Sequence, residues 1–220
     1  MRSGGAYRVA VRTAALVAAA AFATLPLKPL SSLGPLRPAP FAGPPSPELV
    51  PLPRAPLLAP PGSRARPARS VDGIRCERNE RVVFHVHAHV TVFVRGKPRA
   101  LPAGIGIWPP IGPQNYRDGQ FGITQGNCIS WLSTRYADGL VHVESPVRRS
   151  FDLGELFDVW GQPLSATRLG PQRGRVTAIV DGKVWAGDPR RIPLAAHAQI
   201  QLELGRPLVA PETIRFPGLF

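Results

Sequence analysis

The sequence predicts an α+β domain, a mainly antiparallel β-sheet with one crossing helix, and three observations carry that prediction. Residues 81–94 alternate with period two and are rich in β-branched and aromatic side chains, the signature of a strand. Two Asp-Gly pairs, Asp138-Gly139 and Asp181-Gly182, each stand between extended runs, where they predict tight hairpin turns. Only 150–160 repeats its apolar residues at three and four, the spacing of a helix with one buried stripe.

The elements follow in order. On the leading strand Phe84, Val86, Ala88, Val90, Val92 and Val94 share one wholly apolar face, while His85, His87 and His89 share the other with Val83, Thr91 and Phe93, because successive side chains of a strand point to opposite sides. Arg95-Gly96-Lys97-Pro98 is turn chemistry, 99–108 returns as a short strand or extended edge, and 109–127 reads as a long loop. A second extended run covers 128–136, and 140–144 pairs back on it with His142 on the face of Leu140 and Glu144. Ser150 or Asp152 can cap the helix, Leu153, Leu156, Phe157 and Trp160 form its stripe, and Gly161 and Pro163 stop it. A hairpin spans 175–186, and 196–204 alternates, with His197, Gln199, Gln201 and Glu203 expected outward. The tail from 207 is extended and punctuated by proline. From 140 onward the order strand, helix, hairpin, strand is β-grasp-like, a generic likeness that carries no function.

Proline divides the chain. Fourteen of its 27 prolines fall between Pro26 and Pro67, and proline fixes φ and removes backbone donors. Residues 26–70 are therefore expected to be a disordered, polyproline-like linker, leaving 71–220 as a single domain of ordinary size. Residues 1–25 carry Arg2, Arg8 and Arg12 ahead of an apolar run of about 13 residues, the layout of a signal peptide or signal anchor and short of the roughly 20 residues a spanning helix needs. The expected location is extracytoplasmic, secreted or membrane-anchored, with the linker read first as a plain disordered spacer and second as a tether holding the domain away from a membrane or wall.

The net charge of +13 invites a nucleic-acid reading, but its distribution argues against one. Up to Ser70 there are nine basic residues and one acid, Glu48, so most of the excess lies outside the expected domain. No recognised motif or interleaved basic–aromatic patch accompanies the charge, and no nucleic-acid partner is expected.

Two cysteines in an exported domain most often pair, so Cys76 and Cys128 are expected to form a disulfide, with a metal-ligand or free-thiol pair as the alternative. Histidines carry the remaining chemistry. Alternate residues lie about 6.6–7 Å apart along a strand, close enough for two imidazoles to lean onto one ion, whereas His85 and His89 would be about 13 Å apart. One metal would then take two adjacent histidines and further ligands from elsewhere, with His142 and Glu144 the natural candidates. Such a set suits zinc, copper, nickel or iron. Two alternatives stay open: a polar, solvent-facing sheet side in a structural or interaction module of the cell envelope, and a metal-dependent hydrolase with Glu144 as base. No hydrolase elbow, phosphate loop or Cys–His arrangement supports an enzyme, and an enzyme is not the favoured reading.

Residues 72–217 resemble a group of bacterial and archaeal proteins, many exported, through "FHVHAHVTVFVRGK", "PAGIGI", "CISWLSTRYADGLVHVESP", "FDLGELFDVWGQPLS" and "GDPRRIPLAAHAQIQLELG". The resemblance implies a shared fold unit and no activity. His85, His87, His89 and His142 match the group's pattern. Where the group carries Leu-His-Thr-His-Asp, this chain has Leu132-Ser133-Thr134-Arg135-Tyr136. Ser133 and Arg135 thus replace two histidines, and Arg135 would set a fixed positive charge near any cation. The resemblance implies either a lost or weakened metal or a site made of His87, His89 and His142 alone.

Overall fold

The structure, a computed structural model, describes residues 25–39, 43–112, 114–115 and 121–216. The predicted leader falls almost wholly outside these residues. Eight strands form the main sheet: β1 (Leu27–Lys28), β2 (Phe84–Val94), β3 (Lys97–Arg99), β4 (Leu132–Ser133), β5 (Leu140–Ser145), β6 (Val176–Val180), β7 (Lys183–Trp185) and β8 (Gln199–Leu204). Their order is β1-β7-β6-β8-β2-β5-β4, with β3 also paired to β2. Every pairing is antiparallel except β8 with β2, which run parallel from Gln199 opposite His89 to Leu204 opposite Val94. One short α-helix, α1 (Leu153–Trp160), is found among the described residues. The structure is mostly β-sheet with this single helix, in keeping with the α+β expectation.

Turn chemistry sets the hairpins. Asp181 and Gly182 have φ of 48° and 73° between β6 and β7, the two positive values that a type I′ turn requires and that Asp and Gly tolerate. Gly139 at φ 84° turns the chain into β5. Asp152 caps α1 and its N–H donates to Glu155 Oε2 at 2.7 Å, while Gly161 closes the helix in the left-handed region at φ 83°.

The register aligns the apolar rows. Ala88 lies opposite Val141, Val90 opposite Ile200 and Val92 opposite Leu202, with Ala178 next in that last row. These side chains join Leu153, Leu156, Phe157 and Trp160 of α1 in one buried cluster. Beside it, Cys76–Glu77, Gly126–Ser130 and Ile107–Pro110 form a separate three-stranded sheet. Cys76 and Cys128 are bonded within it, with Cα atoms 5.3 Å apart, as expected. No helix among the described residues is long and apolar enough to cross a membrane.

The opposite face of the sheet departs from expectation. His87, His89 and Phe93 of β2 are all but fully buried, as are Gln201 and Glu203 of β8, although the alternation of 196–204 pointed the last two outward. Two proline-bearing segments cover them. From the tail, the Val209 N–H donates to Glu203 Oε1 at 2.9 Å, the Glu212 N–H to Gln201 Oε1 at 3.0 Å and the Ile214 N–H to Gln199 Oε1 at 2.7 Å. Burial pushes Glu203 up to about 7, against the Val209 N–H and the Gln201 amide, which favour its ionised form.

From the other end comes the stretch expected to be a linker, and it lies against the domain over its described residues. Val50, Leu58, Ala59 and Ala65 are buried. The Leu58 N–H donates to the Ala100 carbonyl at 2.9 Å, and the Trp160 Nε1–H to the Pro60 carbonyl at 2.8 Å. Proline density kept regular structure here to the two-residue β1 and a 3-10 turn over Leu30–Leu33, but it did not exclude packing, which needs only apolar surface and a few satisfied carbonyls.

Leu58→Ala should therefore cost about 2–5 kcal/mol in urea unfolding, the usual toll of a buried leucine truncation; a loose linker would show no change. Replacing both cysteines by alanine should lower stability by about 2–5 kcal/mol, and an unchanged unfolding midpoint would contradict a structural disulfide.

Candidate metal centre

The centre of the sheet places the histidines by register. His142 of β5 is directly opposite His87 of β2, and Glu144 is directly opposite His85. Opposed residues of antiparallel strands project to the same side with Cβ atoms about 4.5–5.5 Å apart, so four potential ligands fall on one patch. Ser133 of β4 extends the His87–His142 row; its Oγ is buried and lacks a hydrogen-bond partner among the described residues.

The imidazoles converge. His85 Nε2 and His87 Nε2 are 3.1 Å apart, His87 Nε2 and His142 Nδ1 are 2.9 Å apart, and the three donor atoms all lie within 4.8 Å of one another. Two nitrogens bound to one tetrahedral ion at about 2.0–2.1 Å stand about 3.3–3.4 Å apart. The His85–His87 and His87–His142 pairs are thus within a few tenths of an ångström of that spacing. His87 and His142 are buried, while His85 is 44% exposed on its side chain and keeps the patch open to solvent.

Charged groups surround the cluster. His142 Nε2 faces Glu48, 3.2 Å from Oε1 and 3.3 Å from Oε2. An ionised carboxylate is acceptor-only, so with Glu48 ionised Nε2 carries the hydrogen there and the Nδ1 lone pair turns to the cluster. Arg135 NH2 donates to both Glu144 oxygens at 2.9 Å, and Arg135 NH1 lies 3.9 Å from Glu48. Glu144 also approaches His85 Nε2 at 3.3 Å. Burial pulls His87 down to about 3, with His142, His85 and Arg135 adding to the effect. Burial and Arg135 pull His142 to about 3 against the opposing charge of Glu144. Glu48 is pushed up to about 7 by burial, which outweighs Arg135. The two buried imidazoles are therefore neutral at pH 7, the state in which a ring nitrogen binds metal.

Of the residues singled out from sequence, His85, His87 and His142 come together with Glu144 at their edge. His89 does not join them: its Nε2–H donates to the Asp138 carbonyl at 2.8 Å, and burial pulls it to about 4 against that bond. A site built on His87, His89 and His142 is not what the chain forms. Sequence reasoning missed Glu48 as a partner, because it lies in the stretch taken for linker. The available signal was its isolation, as the one acid among the first 70 residues.

The shifts have opposite signs and overlap. His87, His89 and His142 protonate in the unfolded chain near 6.5 but in the folded chain only near 3 to 4, so they remove stability as pH falls below 6.5. Glu48, Asp138 and Glu203, all raised to about 7 by burial, bind protons in the folded chain before the unfolded one does near 4.5 or 3.8, so they add stability over the same fall. From these six groups, metal-free protein should hold level stability from about pH 6.5 to 4.5 and lose it below, by urea titration at each pH. Steady loss beginning at 6.5 would refute the balance. No protein-family model matches the sequence, and no curated protein or solved structure matches it significantly.

Proposed function

We propose that the protein binds a transition metal ion, zinc or copper, through His85 Nε2, His87 Nε2 and His142 Nδ1. The observation that carries this reading is the convergence of three imidazole nitrogens within 4.8 Å of one another. Nitrogen-only sets suit these ions, whereas calcium and magnesium demand oxygen. Glu48 orients His142 from behind, the role of an outer carboxylate in histidine metal sites. Glu144 has both oxygens engaged by Arg135, which favours binding over hydrolysis, since a general base needs a free oxygen directed at water. The Cys76–Cys128 bond fits an oxidising compartment, and with the leader it supports an exported protein. The parallel pairing of β8 with β2 between two antiparallel hairpins supports a β-grasp-like sheet.

A second reading has its own support: Glu48 reaches both His142 and Arg135, so the cluster can serve as a polar clasp holding the 43–59 segment over the sheet. Zinc and copper titrations of untagged protein separate the two. Wild type should bind one ion per chain, and His87→Ala/His142→Ala should lose it by at least about 100-fold, since one imidazole cannot chelate. Absence of binding above background in wild type, together with unfolding of the Glu48→Gln variant, would leave the clasp reading. If the metal reading holds, Glu48→Gln should weaken binding about 10–100-fold, and Arg135→Gln should tighten it, about tenfold, by removing a neighbouring positive charge.

A further inference from the structure

Arg66 and Arg69 belong to the stretch expected to be a linker, yet the structure fixes both on the domain. Just ahead of them the Arg64 N–H donates to the Val159 carbonyl at 2.7 Å, and Ala65 is fully buried. The Arg69 N–H then donates to the Arg66 carbonyl at 2.9 Å, and the Arg66 N–H to the Arg69 carbonyl at 3.3 Å, closing a tight turn through Pro67 and Ala68. The two arginines are thus directly opposed across an antiparallel bridge. Residues so placed project to the same side with Cβ atoms about 4.5–5.5 Å apart, and like charges there repel.

A pocket of about 450 Å³ opens beside this turn, and Arg66, Arg69, Ser70, Arg75, Cys76 and Glu77 line it. The bond from Cys76 to Cys128 ties its wall to the three-stranded sheet. From the same sheet Trp108 holds Arg66, whose guanidinium carbon lies 5.3 Å from the centre of the ring, within the range of a cation–π contact.

The charges in this pocket are uncompensated. Arg66, Arg69 and Arg75 are exposed, and none of them makes an ion pair or a side-chain hydrogen bond among the described residues. Elsewhere Arg135, Arg149, Arg190 and Arg191 each meet a carboxylate. Glu77 is the one acid in the lining, so three positive charges face one negative and the pocket carries a net +2. A concave surface lined by one sign of charge focuses its field on whatever enters. A single carboxylate would offset only half of that excess, whereas a phosphate monoester or diphosphate offsets all of it. Guanidinium forks also match phosphate oxygens, with two parallel N–H donors to each anion. The Ser70 hydroxyl, without a partner among the described residues, is a further donor at the rim.

We propose that this pocket binds the phosphate group of a small phosphorylated ligand, held by Arg66, Arg69 and Arg75. The site shares no residue with the histidine cluster and does not depend on metal.

Sodium pyrophosphate is a suitable probe, used on the full-length chain after metal has been removed with a chelator. In two-dimensional NMR it should shift the Ser70, Arg75 and Glu77 amide signals saturably, and sodium chloride at the same ionic strength should not. Arg66→Gln/Arg69→Gln should weaken binding at least tenfold. Arg75→Glu, outside the turn, should do the same, so the result does not rest on the turn keeping its shape. Arg95→Gln/Arg173→Gln removes the same charge from exposed positions outside the pocket and should change the affinity less than twofold. His87→Ala/His142→Ala should leave pyrophosphate binding intact, which separates this site's failure from that of the metal reading. Sedimentation with phosphatidic acid vesicles identifies the source of the group: retention reversed by pyrophosphate supports a lipid headgroup, and no retention supports a soluble phosphate ester. An equal response to chloride, no saturable shift, or equal weakening by the pocket and the distant arginine pairs would each overturn the proposal.

Discussion

The central strand β2 is buried on both faces, and most of the molecule answers to that constraint. One face is apolar and needs only α1 and the hydrophobic cluster above it. The other carries His87 and His89, with Gln201 and Glu203 beside them on β8, and each polar group taken from water must find a partner or cost about 1–3 kcal/mol. His87 meets His142 of β5 and His89 meets the Asp138 carbonyl in the turn before β5, whereas Gln201 and Glu203 take their partners from the backbone of the extended tail, whose N–H groups are unspent because it forms almost no ladder of its own. Proline suits this role: each one removes a donor that would otherwise need satisfying, so a proline-rich chain can lie flat on a polar sheet face with few orphaned groups.

The histidine cluster is a local result of the same arrangement. Register alone brings His142 opposite His87 and Glu144 opposite His85, but register does not desolvate them. Covering by the 43–59 segment makes the imidazoles neutral, and it delivers Glu48 to the far side of His142. The cover and the electrostatics of the site are thus one feature. Removing the segment would wet the cluster, return its imidazoles toward ordinary protonation and withdraw the carboxylate that fixes the His142 tautomer.

Much of the sheet was legible because it depends on local pattern. Period-two alternation gave β2 and its two faces, Asp181-Gly182 gave the β6–β7 hairpin, and a single apolar stripe gave α1. The run expected over 128–136 to pair back through Asp138-Gly139 is instead split, with only β4 pairing to β5 across residues 134–139 and 128–130 lying in the three-stranded sheet. The pairing of Cys76 with Cys128 and the approach of His142 and Glu144 to the β2 histidines also followed from pattern and chemistry. What failed to show was covering. Gln199, Gln201 and Glu203 alternate with apolar residues as any solvent-facing row would, and nothing local distinguishes water from a tail backbone as their partner. For the same reason a stretch with 14 prolines reads as a spacer, since its burial depends on a surface formed far away in sequence. The third histidine was half legible: the strand rise excluded His85 and His89 from sharing one ion, but only the neighbouring turn, through the Asp138 carbonyl, decided that His89 is the one left out.

Arg135 gives the cluster a resident cation, and this bears on which ions the proposed site would accept. Its guanidinium holds both oxygens of Glu144 and approaches Glu48, so the carboxylates that would attract a hard divalent ion are already compensated. An incoming ion meets neutral imidazoles and a positive neighbour. Calcium and magnesium, which gain their affinity from carboxylate oxygen, find little to bind. Zinc and copper gain theirs from coordinate bonds to nitrogen, an attraction that a few ångströms of screened Coulomb repulsion weakens without reversing. On the reading proposed above, the arginine acts as a filter: it lowers the affinity for every cation and leaves binding only to those whose bonds to imidazole are strong enough to persist beside it.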